Sequence, residues 1–597
     1  MCGIAALFAY HSEAPGVAHG ELQAINDHMV RRGPDGEGFW YGPDDRVGLA
    51  HRRLAIIDLS ATGHQPMSLA TQNQRYHITY NGEIYNFHAL RDGMEQQGYR
   101  FVTQSDTEVL LRLYERDGAD MVNRLRGMFA LVIWDAQDQA LFLARDPFGI
   151  KPLYYADDGR TLRAASQVKA LLAGGAVERS PEPAGHVGYF LTGSVPEPYT
   201  LYKAIKALPA GHWMRIGANG DRKITRYFDP KPALAAPMGD APPADLRQVL
   251  LDSMQAHFIA DVPVGLFLSA GLDSTSLAGL AAECQGRGVQ SITLGFDAFK
   301  GLAMDEVPLA EEVARLYQTD HATRRIGQND FDAAFDDILD VMDQPSIDGV
   351  NTYFVARAAK QQGLKVALSG LGGDELFGGY DTFAQVPALV GKLSPIPAID
   401  SLGRAFRLLS APWLSAFTSP KAAGLFEYGS HWGGAYLLRR GLYMPWELDR
   451  VLDGDMARAG MAELQPVRRL DQLVDGVDEP RRKVGLLETT QYMANQLLRD
   501  ADWAGMAHSL EIRVPLVDRL VFEQLAPGVH RAGGPSKQKM AATPKTALPA
   551  SIINRPKTGF AIPVDRWLEE RSGTRERGFR GWAQTVYQAA NGGTAAS

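Results

Sequence analysis

An aperiodic stretch, Asp229-Pro230-Lys231-Pro232-Ala233 running on to Pro242-Pro243-Ala244, divides the chain into two halves that obey different patterns. Pro and Ala at this density support neither strand alternation nor a long helical stripe, so residues 229–243 are expected to be a linker. Before it, short runs of β-forming residues alternate with Gly, Asp and Asn: Val47–Ala50, Ala55–Ile57, His77–Tyr80, Phe129–Trp134 and Ala140–Ala144. Helical spacing interrupts them at Leu22–Arg31 and Thr107–Asp117, giving an α+β sandwich over residues 1–228. After the stretch, strands at Val262–Leu268, Ser291–Phe296 and Val366–Leu368 alternate with helices at Leu246–His257, Ser274–Gln285 and Leu309–Tyr317. That alternation predicts an α/β domain with a parallel sheet over 244–572, mainly helical beyond about residue 395. Residues 573–597, polar and rich in Gly and Ala, are expected to form a flexible tail.

At 597 residues the chain exceeds one ordinary core, which agrees with two domains. Hydrophobic residues make up 45% and charged ones 22%, the balance of a globular protein and not a disordered one. The net charge of −8 is spread without a long basic block, which argues against nucleic acid or an anionic membrane surface as partner. No uninterrupted apolar run approaches the ~18 residues of a spanning helix. Cys2 and Cys284 are the whole cysteine complement, too few for a disulfide framework, so a reducing cytoplasm is the expected compartment. Met1–Phe8 is apolar but lacks a basic leader, and it reads as a first strand, not a signal peptide.

Cys2 follows the initiator methionine directly. Removal of that methionine would leave a thiol and an α-amine of pKa about 8 on one residue, nucleophile and base together. The alternative is a small buried side chain near a terminus. Asn81-Gly82 follows a strand and can offer an amide and a backbone N–H to a developing oxyanion, although Asn-Gly is also a common hairpin turn. Arg53 and Asp106 carry the charges that an amino-acid substrate's carboxylate and ammonium require. Arg53 can equally be a surface cation, and Ser105 or Asp106 a plain helix cap.

These residues stand in motifs that resemble the class II glutamine amidotransferase domain: Met1-Cys2-Gly3-Ile4, Arg32-Gly33-Pro34-Asp35, Arg53-Leu54, Tyr80-Asn81-Gly82-Glu83, Ser105-Asp106-Thr107-Glu108, Gly127-Met128-Phe129-Ala130 and Arg145-Asp146-Pro147-Phe148-Gly149. The resemblance implies an N-terminal nucleophile fold in which Cys2 forms a γ-glutamyl thioester and releases ammonia. It implies Asn81 and Gly82 as oxyanion hole, and Arg53, Glu83 and Asp106 as the residues that hold glutamine.

In the second half, Val264–Leu268 runs into Ser269-Ala270-Gly271-Leu272-Asp273-Ser274 and then a helix. A strand, a loop of small residues and a helix N-terminus form an anion-binding arrangement, though a plain strand–helix turn has the same outline. It is not a Walker A loop, and an aspartate among phosphates requires a cation between them, so Asp273 points to Mg²⁺. The loop resembles that of the N-type ATP pyrophosphatases, with Ala270 in place of the usual middle Gly. A second loop, Ser369-Gly370-Leu371-Gly372-Gly373-Asp374-Glu375, together with Met506–Leu516 and Arg555-Pro556-Lys557-Thr558-Gly559-Phe560, resembles the asparagine synthetase family over roughly residues 2–570.

What the resemblance implies is a nucleotide site made by Leu268, Ser269, Gly271, Asp273, Ser274, Leu294, Ser369 and Gly370. Asp273 and Asp374 would be ligands of Mg²⁺, and Lys557 would stabilise the adenylation transition state. The substrates are then glutamine, ATP and a carboxylate acceptor, with a homodimer as the family's common assembly. One position departs: Leu371 stands where these synthetases carry Glu beside the aspartyl-adenylate, and a leucine accepts neither a proton nor a hydrogen bond. The segment 343–353 should border the acceptor pocket. The acceptor is therefore expected to differ from free aspartate, for instance a sugar uronic acid or a natural-product carboxylate. The non-catalytic alternative is a regulatory relative that binds glutamine or nucleotide.

Overall fold

The computed structural model describes residues 2–69, 75–236, 244–417, 419–531, 533–556, 562–572 and 578–592. Gly3–Ala9 is the central strand of the first half, buried throughout. Its alternate residues serve two interfaces: Ile4, Ala6 and Phe8 meet Val132, Leu141 and Leu143 of a second sheet, while Ala5, Leu7 and Ala9 meet Leu22 and Ile25 of a helix. Burial on both faces is why this strand reads as one continuous apolar run.

The first sheet has the spatial order Ile205–Ala207, Tyr154–Asp157, Thr161–Ala165, Gly3–Ala9, Val47–Arg53, Gly36–Tyr41. The second runs Arg222–Arg226, His212–Gly217, Ala140–Arg145, Gly127–Asp135, Tyr76–Ile84, Met67–Ser68. The recorded pairings in both are antiparallel. Helices His19–His28 and Val168–Ala173 cover the outside of the first sheet. Asp106–Asp117 covers the second through Val109, Leu110 and Leu113. The result is a helix–sheet–sheet–helix sandwich, as the α+β reading expects.

The third sheet is parallel, in the order Asp320–Ile326, Gln290–Phe296, Val264–Phe267, Val366–Leu368, Glu511–Arg513. The strand after Val264–Phe267 in the chain pairs on one side of it and Val366–Leu368 on the other, so the strand order reverses there. A crevice outside the carboxyl ends of strands at such a reversal is the usual ligand position in open α/β sheets.

Several expectations are corrected. Ala55–Ile57 is not a strand but an irregular segment; its apolar character is explained by Leu54 and Ile56 packing on Val366 and Met506 of the second half. The edge strand Asp320–Ile326, exposed or half-buried except at Ile326, gives no apolar alternation to read. The linker expectation gives way at Pro230–Ala235, a short helix capped by Asp229, whose Oδ1 accepts from Lys231 N–H at 3.0 Å, with Leu234 buried. Proline in the first helical turn starts this helix instead of breaking it. Residues 237–243 lie outside the described residues.

The flexible-tail expectation gives way at Arg580–Ala590, a helix whose Trp582 is 1% exposed and packs against Phe331 and Phe335. Arg580 anchors it with two bonds to Glu447, at 2.9 and 3.0 Å. Only three residues of this helix form its buried stripe, too few to stand out in a Gly/Ala-rich sequence. Residues 573–577 and 593–597 lie outside the described residues.

Candidate active sites

Cys2 stands just ahead of the first strand, where the two halves of the molecule meet. Asn81, wholly buried on Tyr76–Ile84, accepts from Cys2 N–H through Oδ1 at 2.8 Å. Its Nδ2 is buried and makes no hydrogen bond among the described residues. Cys2 Sγ lies 3.9 Å from the Leu54 carbonyl oxygen, and burial pushes its thiol pKa up. A thiol in this state needs a base before it can attack. Gly82 continues the strand where a Cβ would come within 2.1 Å of the Met128 carbonyl oxygen, so the close pairing with Gly127–Asp135 admits glycine alone.

Arg53 ends the strand Val47–Arg53. Its guanidinium is pinned by main-chain carbonyls, Ser60 O at 3.0 Å and Asp58 O, and it has no carboxylate partner among the described residues. Asp106 opens its helix, but the capping is done by Ser105, whose Oγ accepts from Thr107 N–H. Asp106 Oδ2 instead accepts from Tyr80 Oη at 3.0 Å and Ile84 N–H at 3.2 Å, and burial raises its carboxyl to about 6. Glu83 is buried with Oε2 3.5 Å from Arg513 Nη2, and burial, followed by the neighbouring Glu511, lifts its pKa well above the carboxylate range. Cys2, Asn81, Glu83 and Asp106 are thus linked through one strand and its immediate contacts.

The second half contributes residues that the sequence motifs had not connected to this site. Arg32 Nε donates to the Cys2 carbonyl at 3.1 Å, while its two terminal nitrogens grip buried Asp502 at 2.7 and 3.0 Å. Arg513 lies on the third sheet and reaches Glu83. No local spacing relates positions 32 and 502, so only the folded chain shows the pair.

At the other site, the loop after Val264–Phe267 is tied by serines. Ser269 Oγ lies 2.8 Å from Ser274 Oγ and accepts from Gly271 N–H at 3.1 Å. Leu268 and Leu294 are both buried, in separate apolar clusters, and Leu268 N–H donates to Ile292 O at 2.8 Å. The second loop lies directly on the first. A Cβ on Gly370 would meet Asp273 Cβ at 2.9 Å and Ser274 N at 3.1 Å. Ser369 N–H donates to Arg513 O at 2.8 Å, which fixes the loop to the strand that reaches the cysteine site. Leu371 is half-buried and packs on the large apolar clusters on both sides.

Asp273 and Asp374 converge on one cation, the Lys537 ammonium, which pairs with both. Lys537 belongs to no motif read from the sequence; a lysine one residue past a helix-capping serine gives no signal of its partners. Lys557 lies outside the described residues. Arg555, two positions before it, pairs with Glu306 at 3.2 Å, and Glu306 also accepts from Ala270 N–H at 3.4 Å. Among the described residues no group of three or more His, Cys, Asp or Glu gathers as a metal cage, and no helix is long and apolar enough to cross a membrane.

The sandwich with its N-terminal cysteine, joined to a parallel-sheet domain with two abutting loops, defines a glutamine amidotransferase of the N-terminal-nucleophile class fused to an ATP-pyrophosphatase domain. A glutamine amidotransferase domain family matches residues 1–228, and the asparagine synthase family matches residues 245–578. Asparagine synthetase [glutamine-hydrolyzing] 1 of Bacillus subtilis (strain 168) is 32% identical over 588 residues, covering 95% of this chain and 88% of its own. A putative asparagine synthetase [glutamine-hydrolyzing] of Mycobacterium tuberculosis (strain ATCC 25618 / H37Rv) is 33% identical over 603 residues, with the same coverages of 95% and 88%. The amidase chry2 of Gibberella zeae is 31% identical over 412 residues, 64% of this chain and 60% of its own. A solved glutamine phosphoribosylpyrophosphate amidotransferase from B. subtilis overlaps 54% of this chain and 81% of its own at 17% identity and a TM-score of 0.28. The chain belongs to the glutamine-hydrolysing asparagine synthetase family, and it is a glutamine-dependent amidotransferase of that type.

Proposed function

We propose that this enzyme takes ammonia from glutamine at Cys2 and delivers it to a carboxylate that the second domain has activated with ATP. The observation that carries the reading is Asn81: one end of its amide orients the Cys2 nitrogen, and the other end is a buried donor with no partner among the described residues. A polar group in that state is costly unless a substrate satisfies it.

With the methionine removed, the Cys2 α-amine takes the thiol proton and the sulfur attacks the glutamine carboxamide carbon. The tetrahedral oxyanion falls to Asn81 Nδ2 and the Gly82 N–H, donors already placed before the charge develops. The C–N bond breaks as the departing nitrogen takes the proton, leaving a thioester and ammonia; water then hydrolyses the thioester to glutamate. Arg53, held by carbonyls and without a carboxylate partner among the described residues, suits the substrate's α-carboxylate. Asp106 and Glu83 suit its ammonium, whose arrival favours their ionised forms.

In the second domain, Ser269, Gly271, Ser274, Ser369 and Gly370 line the nucleotide site, with Leu268 and Leu294 beneath it. The acceptor carboxylate attacks the α-phosphorus of ATP, pyrophosphate leaves, and ammonia displaces AMP from the acyl-adenylate to give the amide. Lys557 is assigned to the charge of that first step through its motif. The meeting of Asp273 and Asp374 on a single cation fits Mg²⁺, a hard ion that takes carboxylate and phosphate oxygens. When bound there it would neutralise the phosphates; Lys537 already balances the same two carboxylates.

Cys2→Ala tests the assignment. Glutamine-driven amide formation is expected to vanish while ammonium-driven formation of amide, AMP and pyrophosphate persists. Equal loss of both, or of neither, would remove Cys2 from the proposed role.

A further inference from the structure

The helix Ile399–Phe417 turns its apolar side the wrong way for a chain that stands alone. Leu402, Ala405, Phe406 and Leu409 recur at the spacing of one helical face, the stripe that ordinarily packs inward. Here that face meets solvent: Leu402 is 63% exposed and Leu409 80%, with Leu408 beside them and Ile396 in the preceding turn also exposed. Phe406 sits at the border, edge-on to Phe426 at 5.3 Å. The side that meets the protein is small and polar. A Cβ on Gly403 would come within 2.3 Å of the Glu427 nitrogen, so the helix presses there on the main chain of Phe426–Glu427. Arg407 turns to the same place, with Nη2 3.3 Å from the Glu427 carboxylate and its guanidinium over the Trp446 ring.

Charge decides what such a face can meet. Residues 401–426 hold no Asp or Glu, and residues 382–426 carry four cations, Lys392, Arg404, Arg407 and Lys421, against the single acid Asp400. Asp400 is itself taken up by Ser430 and by His431, whose Nε2 lies 2.9 Å away. Lys392 and Arg404 are exposed and make no ion pair among the described residues. The net charge of −8 for the whole chain argues against an anionic surface as partner, and this segment reverses that argument locally. A second copy of the chain fits less well: a symmetric pairing sets the positive segment against itself, and a head-to-tail pairing does not close. Exposed apolar side chains flanked by cations, with no acid between them, match the acyl boundary and anionic headgroups of a bilayer.

We propose that the helix Ile399–Phe417 docks this enzyme on an anionic lipid surface, lying along it with Leu402 and Leu409 inserted and Arg404 among the headgroups. No helix among the described residues is long and apolar enough to cross a membrane, so the contact is peripheral. The inference stands apart from the amidation reading, and either can fail without the other.

The test is flotation of the full chain with vesicles of mixed phosphatidylglycerol and phosphatidylcholine, and in parallel with vesicles of phosphatidylcholine alone. The protein is expected to float with the mixed vesicles and at least fivefold less with the neutral ones. The double variant Leu402→Gln, Leu409→Gln should bind the mixed vesicles at least tenfold more weakly, and Arg404→Glu should lose most of the preference for them. Both variants change exposed side chains far from either active site, so glutamine hydrolysis should stay within twofold of wild type and show that they fold. Absence of flotation, or equal flotation of wild type and the double variant, overturns the proposal. Equal binding to both kinds of vesicle overturns the choice of an anionic surface. Self-association that the double variant abolishes, without vesicle binding by wild type, assigns the face to a second copy instead.

Discussion

Arg32 and Asp502, 470 positions apart, form a two-pronged buried ion pair across the boundary between the domains, and the same guanidinium holds the Cys2 carbonyl. The nucleophile is therefore positioned partly by the synthetase half. The helix that carries Asp502, Leu498–Met506, continues directly from the helical segment Glu488–Leu497, so the cysteine site is held by a long element of the second half.

Asp502→Ala leaves the Arg32 charge buried without a partner, a loss of about 3–5 kcal/mol in stability. Glutamine hydrolysis is expected to fall at least tenfold as Cys2 loses its fixed position, and ammonium-driven pyrophosphate release to fall less. Glutamate release and pyrophosphate release from one preparation measure the two; an equal drop in both would refute the coupling.

Asn81→Ala removes the donor aimed at the oxyanion and the acceptor for the Cys2 nitrogen. A decrease of about 10²–10³ in glutaminase kcat is expected, the usual effect of losing one oxyanion donor. KM for glutamine should change far less, because the group acts on charge that exists only in the transition state.

Asp106 gives a pH signature. Burial raises its folded value to about 6, above an unfolded value near 4, so the native state holds the proton more tightly. The stabilising contribution is complete below pH ~4 and is lost as pH rises through 6, roughly 3 kcal/mol in all. Asp106→Asn should therefore be more stable than wild type at pH 8 and similar at pH 4, with glutamine turnover strongly reduced. Denaturation curves at the two pH values decide it; a variant less stable than wild type at pH 8 contradicts the account.

Lys537→Met leaves Asp273 and Asp374 facing each other without their shared cation. Pyrophosphate release is expected to drop by about 10²-fold or more, in line with the removal of a preorganised charge at a phosphoryl site. Glutamine hydrolysis should stay within about twofold, since Lys537 has no contact with the cysteine site. Parallel assays of the two activities check this.

Trp582→Ala opens a cavity where the C-terminal helix seats on Phe331 and Phe335. A cost of about 3–5 kcal/mol to the synthetase half is expected, seen as a lower temperature for loss of pyrophosphate-forming activity. An unchanged midpoint would return this segment to the status of a loose tail.

The sequence by itself determined the local devices. The continuous apolar run of Gly3–Ala9 and the serine-and-glycine loop before Leu272–Gln285 depend on neighbours within a few residues, and short-range sterics and hydrogen bonding make them readable. Tertiary structure alone decided which distant charges meet. The Arg32–Asp502 pair and the Lys537 bridge between Asp273 and Asp374 join residues that lie a hundred or more positions apart. The segment Ala55–Ile57 and the helix Arg580–Ala590 depart from their local pattern for the same reason: their apolar residues answer surfaces elsewhere in the chain. Periodicity records a face to be buried; which face covers it is fixed only when the whole chain packs.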